Sequence, residues 1–135
     1  MFYRQYYSEL GKMLYAIANV DGVISEKEKD TLKQLVRKEL APSEKHTDKF
    51  GTDAAYYTEI EFDILEDTLQ DSDAAFDSFI DFLESHHTAI DQHMRDATLK
   101  ITKQLATIHH KPNKKVVELI KKLEKVLKLL EASTG

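Results

Sequence analysis

The sequence predicts an all-α protein that folds as a single compact bundle of about six helices over residues 1–135. Apolar residues recur at intervals of three and four through most of the chain, which is the period of amphipathic helices. Only four glycines and two prolines interrupt the chain, too few for a fold with many turns. A hydrophobic fraction of 41% supplies a core, and a charged fraction of 32% supplies a solvated exterior.

The first two predicted helices flank an acidic turn. The first helix is expected from about Tyr3 to Asn19 and the second directly after Ser25. Ser25 and Glu28 have the spacing of a capping box, in which each side chain bonds the other residue's backbone N–H. The second helix is expected to end near Pro42, because proline disfavours helical backbone in the residue before it. The apolar stripe of the first helix consists of Tyr3, Tyr6, Leu10, Met13 and Ile17.

Two shorter helices are predicted after the polar loop 42–52. Asp53 is expected to cap a third helix that runs to about Leu69, and Ser72 is expected to cap a fourth. Residues 60–64 also alternate like a strand, but a lone strand would leave its backbone groups unpaired, so a helix is favoured. The inward residues are predicted to be Tyr57, Ile60, Ile64 and Leu65 on the third helix, and Phe76, Phe79, Ile80 and Leu83 on the fourth.

The last two helices are separated by a break at Pro112. The fifth is expected from near Thr88 to about His109 and is predicted to be the central, most buried helix of the bundle. Asn113 is expected to cap the sixth. The inward residues of the sixth are predicted to be Val116, Leu119, Ile120, Leu123, Val126, Leu127 and Leu130. Its outward residues are predicted to be Lys114, Lys115, Lys121, Lys122, Lys125 and Lys128.

Charge is distributed unevenly along the chain. Residues 53–96 carry thirteen acidic residues and one arginine, whereas residues 97–135 carry nine lysines and three glutamates. The acidic middle argues against nucleic-acid binding, because phosphate contacts need a basic face. We expect acidic and basic helices to attract each other within the fold. The sixth helix alone would also suit a membrane surface, but helix packing explains its apolar face equally well, and membrane association is not expected.

Other features of the composition narrow the class of protein. The chain contains no cysteine, which excludes disulfides, thiolate metal sites and cysteine nucleophiles. No apolar stretch approaches the length of a transmembrane helix, and the first residues lack the pattern of a signal peptide. A cytoplasmic protein is therefore expected.

The acidic turn partly matches the calcium loop of an EF-hand. If Gly22 takes loop position 6, then Asn19, Asp21 and Glu28 fall on ligand positions 3, 5 and 12. Ile17 falls on position 1 and cannot ligate a metal. The pattern predicts at most a weak calcium or magnesium site, and it leaves open a purely structural turn, because capping explains Ser25 and Glu28 without an ion.

The string AIANVDGVISEKEKDTLKQLV resembles the signature of the TerB-like, tellurite-resistance-associated superfamily, which includes the N-terminal region of DjlA-type co-chaperones. The matching residues are Ala16, Ala18, Asp21, Gly22, Ile24, Ser25 and Glu28. The resemblance implies a compact helical domain without an established enzymatic activity, linked to tellurite and stress responses in bacteria. It also implies divalent-cation binding by Asp21 and Glu28. The second turn, at residues 109–113, carries no carboxylate, so a metal site built from both turns is not expected.

Three functions are compatible with these features. The preferred one is a non-enzymatic TerB-like interaction module with protein partners, modulated by a weakly bound divalent cation. The second is a metal-dependent enzyme that uses Glu84, His87 and nearby carboxylates, since Glu-x-x-His is a spacing found in di-iron bundles. That site would need a second Glu-x-x-His, which the sequence lacks. The third is a purely structural domain.

Overall fold

The computed structural model describes residues 2–20, 24–40, 56–107 and 114–134, and these residues form helices and turns without a strand. The predicted all-α bundle is thereby confirmed. A π-helical turn, Val36–Leu40, directly continues the second helix. The helices are α1 (Phe2–Ala18), α2 (Glu26–Leu35), α3 (Tyr57–Asp67), α4 (Ser72–Ser85), α5 (Gln92–Ala106) and α6 (Lys114–Thr134).

Helix α1 is the central helix, so the prediction that the fifth helix is central is wrong. Helix α1 packs against α3, α4 and α5. Residues 13–18, MLYAIA, are all buried, and a helix that is apolar on every side belongs in the middle of a bundle. Helix α5 buries Ile101 and Leu105 but exposes Asp96 and Lys103 on its other side.

Helices α1 and α3 approach each other closely at Gly11. A Cβ atom added to Gly11 would lie 2.5 Å from the backbone oxygen of Thr58. The hydroxyl of Thr58 donates a hydrogen bond of 2.9 Å to the backbone oxygen of Tyr7, one turn earlier on α1. The missing side chain of Gly11 therefore allows the backbone of α3 to rest on α1.

Because of this close approach, the side of α3 that faces the core differs from the predicted side. Phe62 is buried beside the ring of Tyr15, with 6.1 Å between the ring centroids and an edge-to-face angle of 77°. Thr58 and Leu65 are buried with it. Ile60 and Ile64, which were predicted to face inward, are each 47% exposed. The prediction was wrong at these two positions because Thr58 rests against Gly11 and thereby sets the rotation of α3.

Helix α4 begins one residue earlier than the predicted cap allows. Asp71 is the N-cap, and its carboxylate accepts a hydrogen bond of 2.9 Å from the backbone N–H of Ala74. Ser72 is the first helical residue instead. Its hydroxyl donates to the backbone oxygen of Asn19 at 3.2 Å. Ser72 thus joins α4 to the end of α1 and leaves the capping role to Asp71.

Two of the other predicted helix starts lie within the described residues and can be compared with the structure. The capping box of Ser25 and Glu28 is present, as predicted. Helix α5 starts after Asp91, later than predicted, because residues 86–89 form a turn. The predicted caps Asp53 and Asn113 lie outside the described residues.

Helix α6 places its lysines outward, as predicted, and pairs with the acidic helix α4. Lys115 lies 3.1 Å from Asp73, and Lys122 lies 3.6 Å from Asp77. The opposite charges of the two halves of the chain therefore meet on the outside of the bundle. Val116, Leu119, Leu123, Leu127 and Leu130 are buried beneath them. None of the helices in the described ranges has the length and apolarity needed to cross a membrane.

Candidate functional site

The carboxylate of Glu28, a predicted cation ligand, is engaged in its own helix cap. Its Oε1 atom accepts hydrogen bonds from the backbone N–H of Ser25 at 3.1 Å and from the Ser25 hydroxyl at 3.2 Å. The backbone N–H of Glu28 donates in return to the Ser25 hydroxyl at 3.1 Å. The side chain of Glu28 is also buried. Asp21 and Gly22 lie outside the described residues, so their part in the site stays a prediction.

The second described ligand candidate, Asn19, bonds to α4. Its amide nitrogen donates to the Ser72 hydroxyl at 3.1 Å and to the Tyr15 hydroxyl at 3.1 Å. The Tyr15 hydroxyl donates in turn to the backbone oxygen of Gln70 at 2.6 Å. Burial, together with the nearby carboxylates of Glu66 and Asp71, raises the pKa of Tyr15. Asn19 thus ties the end of α1 to the start of α4, and Tyr15 ties it to the turn between α3 and α4.

Glu84 and His87, the residues of the predicted metalloenzyme site, lie at the end of α4. The Glu84 side chain is exposed, and the Nδ1 atom of His87 lies 3.2 Å from the backbone oxygen of Glu84. The neighbouring His86 places its ring against Phe82, with 4.5 Å between the centroids. Among the residues that the structure describes, no group of three or more histidine or acidic side chains has the arrangement of a metal site.

A groove that the sequence did not predict lies between α3 and the first half of α4. It has a volume of about 400 Å³ and is open to solvent. The side chain of Lys12 reaches it from α1. Its apolar walls are formed by Ile64, Leu65, Ala74 and Ala75, and its polar lining by Lys12, Glu61, Thr68, Gln70, Asp71 and Ser78.

Lys12, the lysine that lines the groove among the described residues, has its own counter-charge. Lys12 Nζ lies 2.9 Å from Oε1 of Glu9, and the Ser78 hydroxyl donates to Oε2 of the same carboxylate at 2.9 Å. Glu61 and Asp71 are the acidic groups of the lining. They have no ion-pair partner within the described part of the chain. The groove is therefore acidic in its net character.

More acids lie on the outer side of α3. Asp63 and Asp67 are exposed, and neither has a cation within salt-bridge distance among the described side chains. Glu66 differs, because it lies 2.9 Å from Lys29 of α2, a contact that raises the pKa of the lysine. Asp63, Asp67 and the groove residue Glu61 thus present acidic charge to solvent, whereas Glu59, also on α3, is partly buried and close enough to Arg37 and Lys33 to feel their charge.

Three large aliphatic side chains are exposed on or just after α3, and one of them, Ile64, lines the groove. Ile60 and Ile64 lie one helical turn apart on α3, each 47% exposed, and Leu69 directly after the helix is 86% exposed. Leu69 also has a positive φ of 52°, a left-handed conformation that residues with a Cβ atom rarely adopt. Thr68 and Gln70, on either side of it, line the groove. These residues, Ile60, Ile64 and Leu69, form what we call the aliphatic ridge.

Comparisons of the chain with protein-family models, with curated proteins and with solved structures gave no significant match.

Proposed function

We propose that this protein is a non-enzymatic interaction module that binds a protein partner along the groove between α3 and α4. The observation that supports this proposal is the aliphatic ridge, in which Ile60, Ile64 and Leu69 are exposed beside an acidic groove. Contiguous apolar surface with a polar rim is typical of sites where proteins bind one another. Isolated exposed apolar residues need no such explanation, but Ile64 lines the groove and Ile60 lies one helical turn before it. Leu69 lies between the lining residues Thr68 and Gln70.

The backbone of Leu69 supports the same proposal. A left-handed conformation costs a residue with a Cβ atom roughly 1–2 kcal/mol, a cost that glycine avoids. The side chain of Leu69 is 86% exposed, so it recovers little of this cost by burial in the core. The left-handed conformation closes the C-terminus of α3, where the backbone N–H of Gln70 donates to the backbone oxygen of Leu65 at 3.2 Å, and the Leu69 side chain is left in solvent, where a partner can contact it.

The sequence resemblance extends the proposal to a biological setting. We infer a TerB-like module in a bacterial assembly associated with stress or tellurite resistance, in which a calcium or magnesium ion binds weakly at the Asp21–Gly22 turn. Asn19 and Glu28 would contribute oxygen atoms to that ion. Asn19 also bonds to Ser72 at the start of α4, so it offers a physical connection from the turn to the groove.

The cation part of the proposal is tested by calcium and two substitutions. Ser25→Ala removes the capping hydroxyl and should cost about 1 kcal/mol of stability with or without calcium. Millimolar calcium should raise the Tm of the native protein slightly, because Ile17 leaves the first ligand position empty. Saturation at 100 times the Kd would add about 2.7 kcal/mol. Asp21→Asn should abolish this gain, and an equal calcium response in the native and Asp21→Asn proteins would exclude the turn as the site.

The interaction part is tested by photo-crosslinking in extracts of the source cells. A benzophenone amino acid placed at Ile64 should form covalent adducts with a protein partner upon irradiation. The matched control carries the same group at Val117, an equally accessible aliphatic position on α6 that is 42% exposed. Adducts of the same protein from Ile64 but not from Val117 would support the proposal. Equal labelling from both positions, or none from Ile64, would contradict it.

A further inference from the structure

We infer that the segment bound along the groove is a basic amphipathic helix of a partner protein. Its apolar side chains would contact the aliphatic ridge, and its lysines or arginines would lie against the acids of α3 and of the groove. This inference rests on the proposed function, since it names the chemistry of the partner that the interaction module binds. Shape, hydrogen bonding and charge each support it separately.

The shape of the surface suits a helix. Ile60 and Ile64 lie one turn apart on α3, and Ile64 lines the groove between α3 and α4. A third helix laid along two neighbouring helices places side chains at positions i, i+3 or i+4 and i+7 into such a groove. The exposed aliphatic side chains then gain the burial that the isolated bundle does not give them.

Backbone hydrogen bonding argues against an extended peptide. An extended segment is bound mainly by adding a strand to the free edge of a sheet. The walls of this groove are helices, whose internal backbone groups are bonded within the helix itself. The described part of the chain offers no strand to which a peptide could pair. A bound segment that satisfies its own backbone, as a helix does, fits this surface better.

The acidic side chains of this surface favour a partner with positive charge. Glu61 in the groove and Asp63 and Asp67 on the outer side of α3 have no ion-pair partner within the described residues. The groove residue Lys12 is already paired with Glu9 at 2.9 Å. A partner with lysine or arginine beside its apolar stripe compensates these acids, whereas an acidic helix is repelled.

The test uses the full chain and a designed probe. The probe is a fluorescein-labelled peptide of about 18 residues, long enough to hold a helix. It has leucine at i, i+3, i+4 and i+7 and lysine elsewhere. A second peptide carries glutamate in place of every lysine. Fluorescence anisotropy should show saturable binding of the lysine peptide and at least about tenfold weaker binding of the glutamate peptide. Equal binding of the two, or no binding of the lysine peptide, would overturn the inference.

Charge variants locate the binding site. Glu61→Lys combined with Asp67→Lys should weaken binding of the lysine peptide by about tenfold or more. The matched control, Asp96→Lys with Glu118→Lys, changes the net charge equally on exposed residues of α5 and α6. It should have little effect. If the control weakens binding as much as the groove variant, the attraction is nonspecific, and the inference is wrong.

Apolar variants test the aliphatic ridge. Ile64→Gln keeps a long side chain and good helix propensity, and it should weaken binding of the lysine peptide by about tenfold. Val117→Gln on α6 is the matched control and should not. Equal effects would overturn the inference.

A second copy of this chain is the alternative occupant of the groove. If the protein dimerises with increasing concentration and Ile64→Gln abolishes this dimerisation, the inference is likewise overturned.

The two proposals fail in different ways. If the benzophenone at Ile64 captures a protein but the lysine peptide does not bind, the basic helix is wrong and the interaction module stands. If the probe at Ile64 captures no protein and the peptide does not bind, both are wrong.

Discussion

Replacing Phe62 with alanine should lower the free energy of unfolding by about 3–5 kcal/mol, the usual cost of deleting a buried phenyl ring. Phe62 is 1% exposed and packs edge-to-face against Tyr15 of the central helix. The space left by the ring is bordered by helix α1, which is packed on several sides and cannot readily move to fill it. Chemical denaturation followed by circular dichroism measures the loss.

The matched control for Phe62 lies two residues further along the same helix. Ile64→Ala also removes a large apolar side chain from α3, but Ile64 is 47% exposed, so it should cost less than about 1 kcal/mol. The sequence alone predicted that Ile64 faces inward. A loss at Ile64 that equals or exceeds the loss at Phe62 would show that α3 presents the predicted face to the core.

The rotation of α3 could not be derived from its sequence because two apolar stripes overlap there. One stripe joins Ile60 and Ile64, and the other joins Phe62 and Leu65. Both have helical spacing, and local propensity does not choose between them. The choice is made by Gly11, which is about fifty residues away in the sequence and admits the backbone of α3 at Thr58. This is a tertiary contact, so no window of α3 alone contains it.

The helix caps and the central position of α1 differ in how far the local sequence predicts them. The capping box of Ser25 and Glu28 was predictable, since both partners lie within one helical turn. The N-cap of α4 was misplaced, because Asp71 and Ser72 are both good caps and Asn19 of α1 engages Ser72. The central position of α1 had a readable signal in residues 13–18, whose side chains are apolar on all sides of the helix.

The candidate site also combines features that follow from local sequence with features that depend on tertiary contacts. The predicted ligands Asn19 and Glu28 were chosen by their spacing along a loop, which says nothing about what else they bond. Their amide and carboxylate groups make contacts within the fold, with Ser72 and Ser25 respectively. The groove has no local signature, since its walls come from α3 and α4 and Lys12 reaches it from α1.

The second large effect is expected at Gly11, where adding a single methyl group should destabilise the protein. Alanine is favoured over glycine inside a helix by about 1 kcal/mol, so propensity alone predicts a more stable protein. The added Cβ atom, however, would lie 2.5 Å from the backbone oxygen of Thr58 and 3.1 Å from Cβ of Glu61. A backbone oxygen held in α3 cannot rotate away as a flexible side chain can. Overpacking of this kind typically costs about 1–3 kcal/mol.

Helices α1 and α3 must separate to admit the methyl group. This separation should weaken other contacts between the same two helices. The 2.9 Å hydrogen bond from Thr58 to Tyr7 should weaken, and Gly11→Val should destabilise more than Gly11→Ala because its side chain is larger. Gln5→Ala is the matched control, since Gln5 is an exposed position on the same helix and should change stability by less than about 0.5 kcal/mol. Thermal and chemical unfolding measure all three variants. A Gly11→Ala protein more stable than the native one would mean that α1 and α3 are not in backbone contact. The contact at Gly11 would then not explain why Ile60 and Ile64 are exposed.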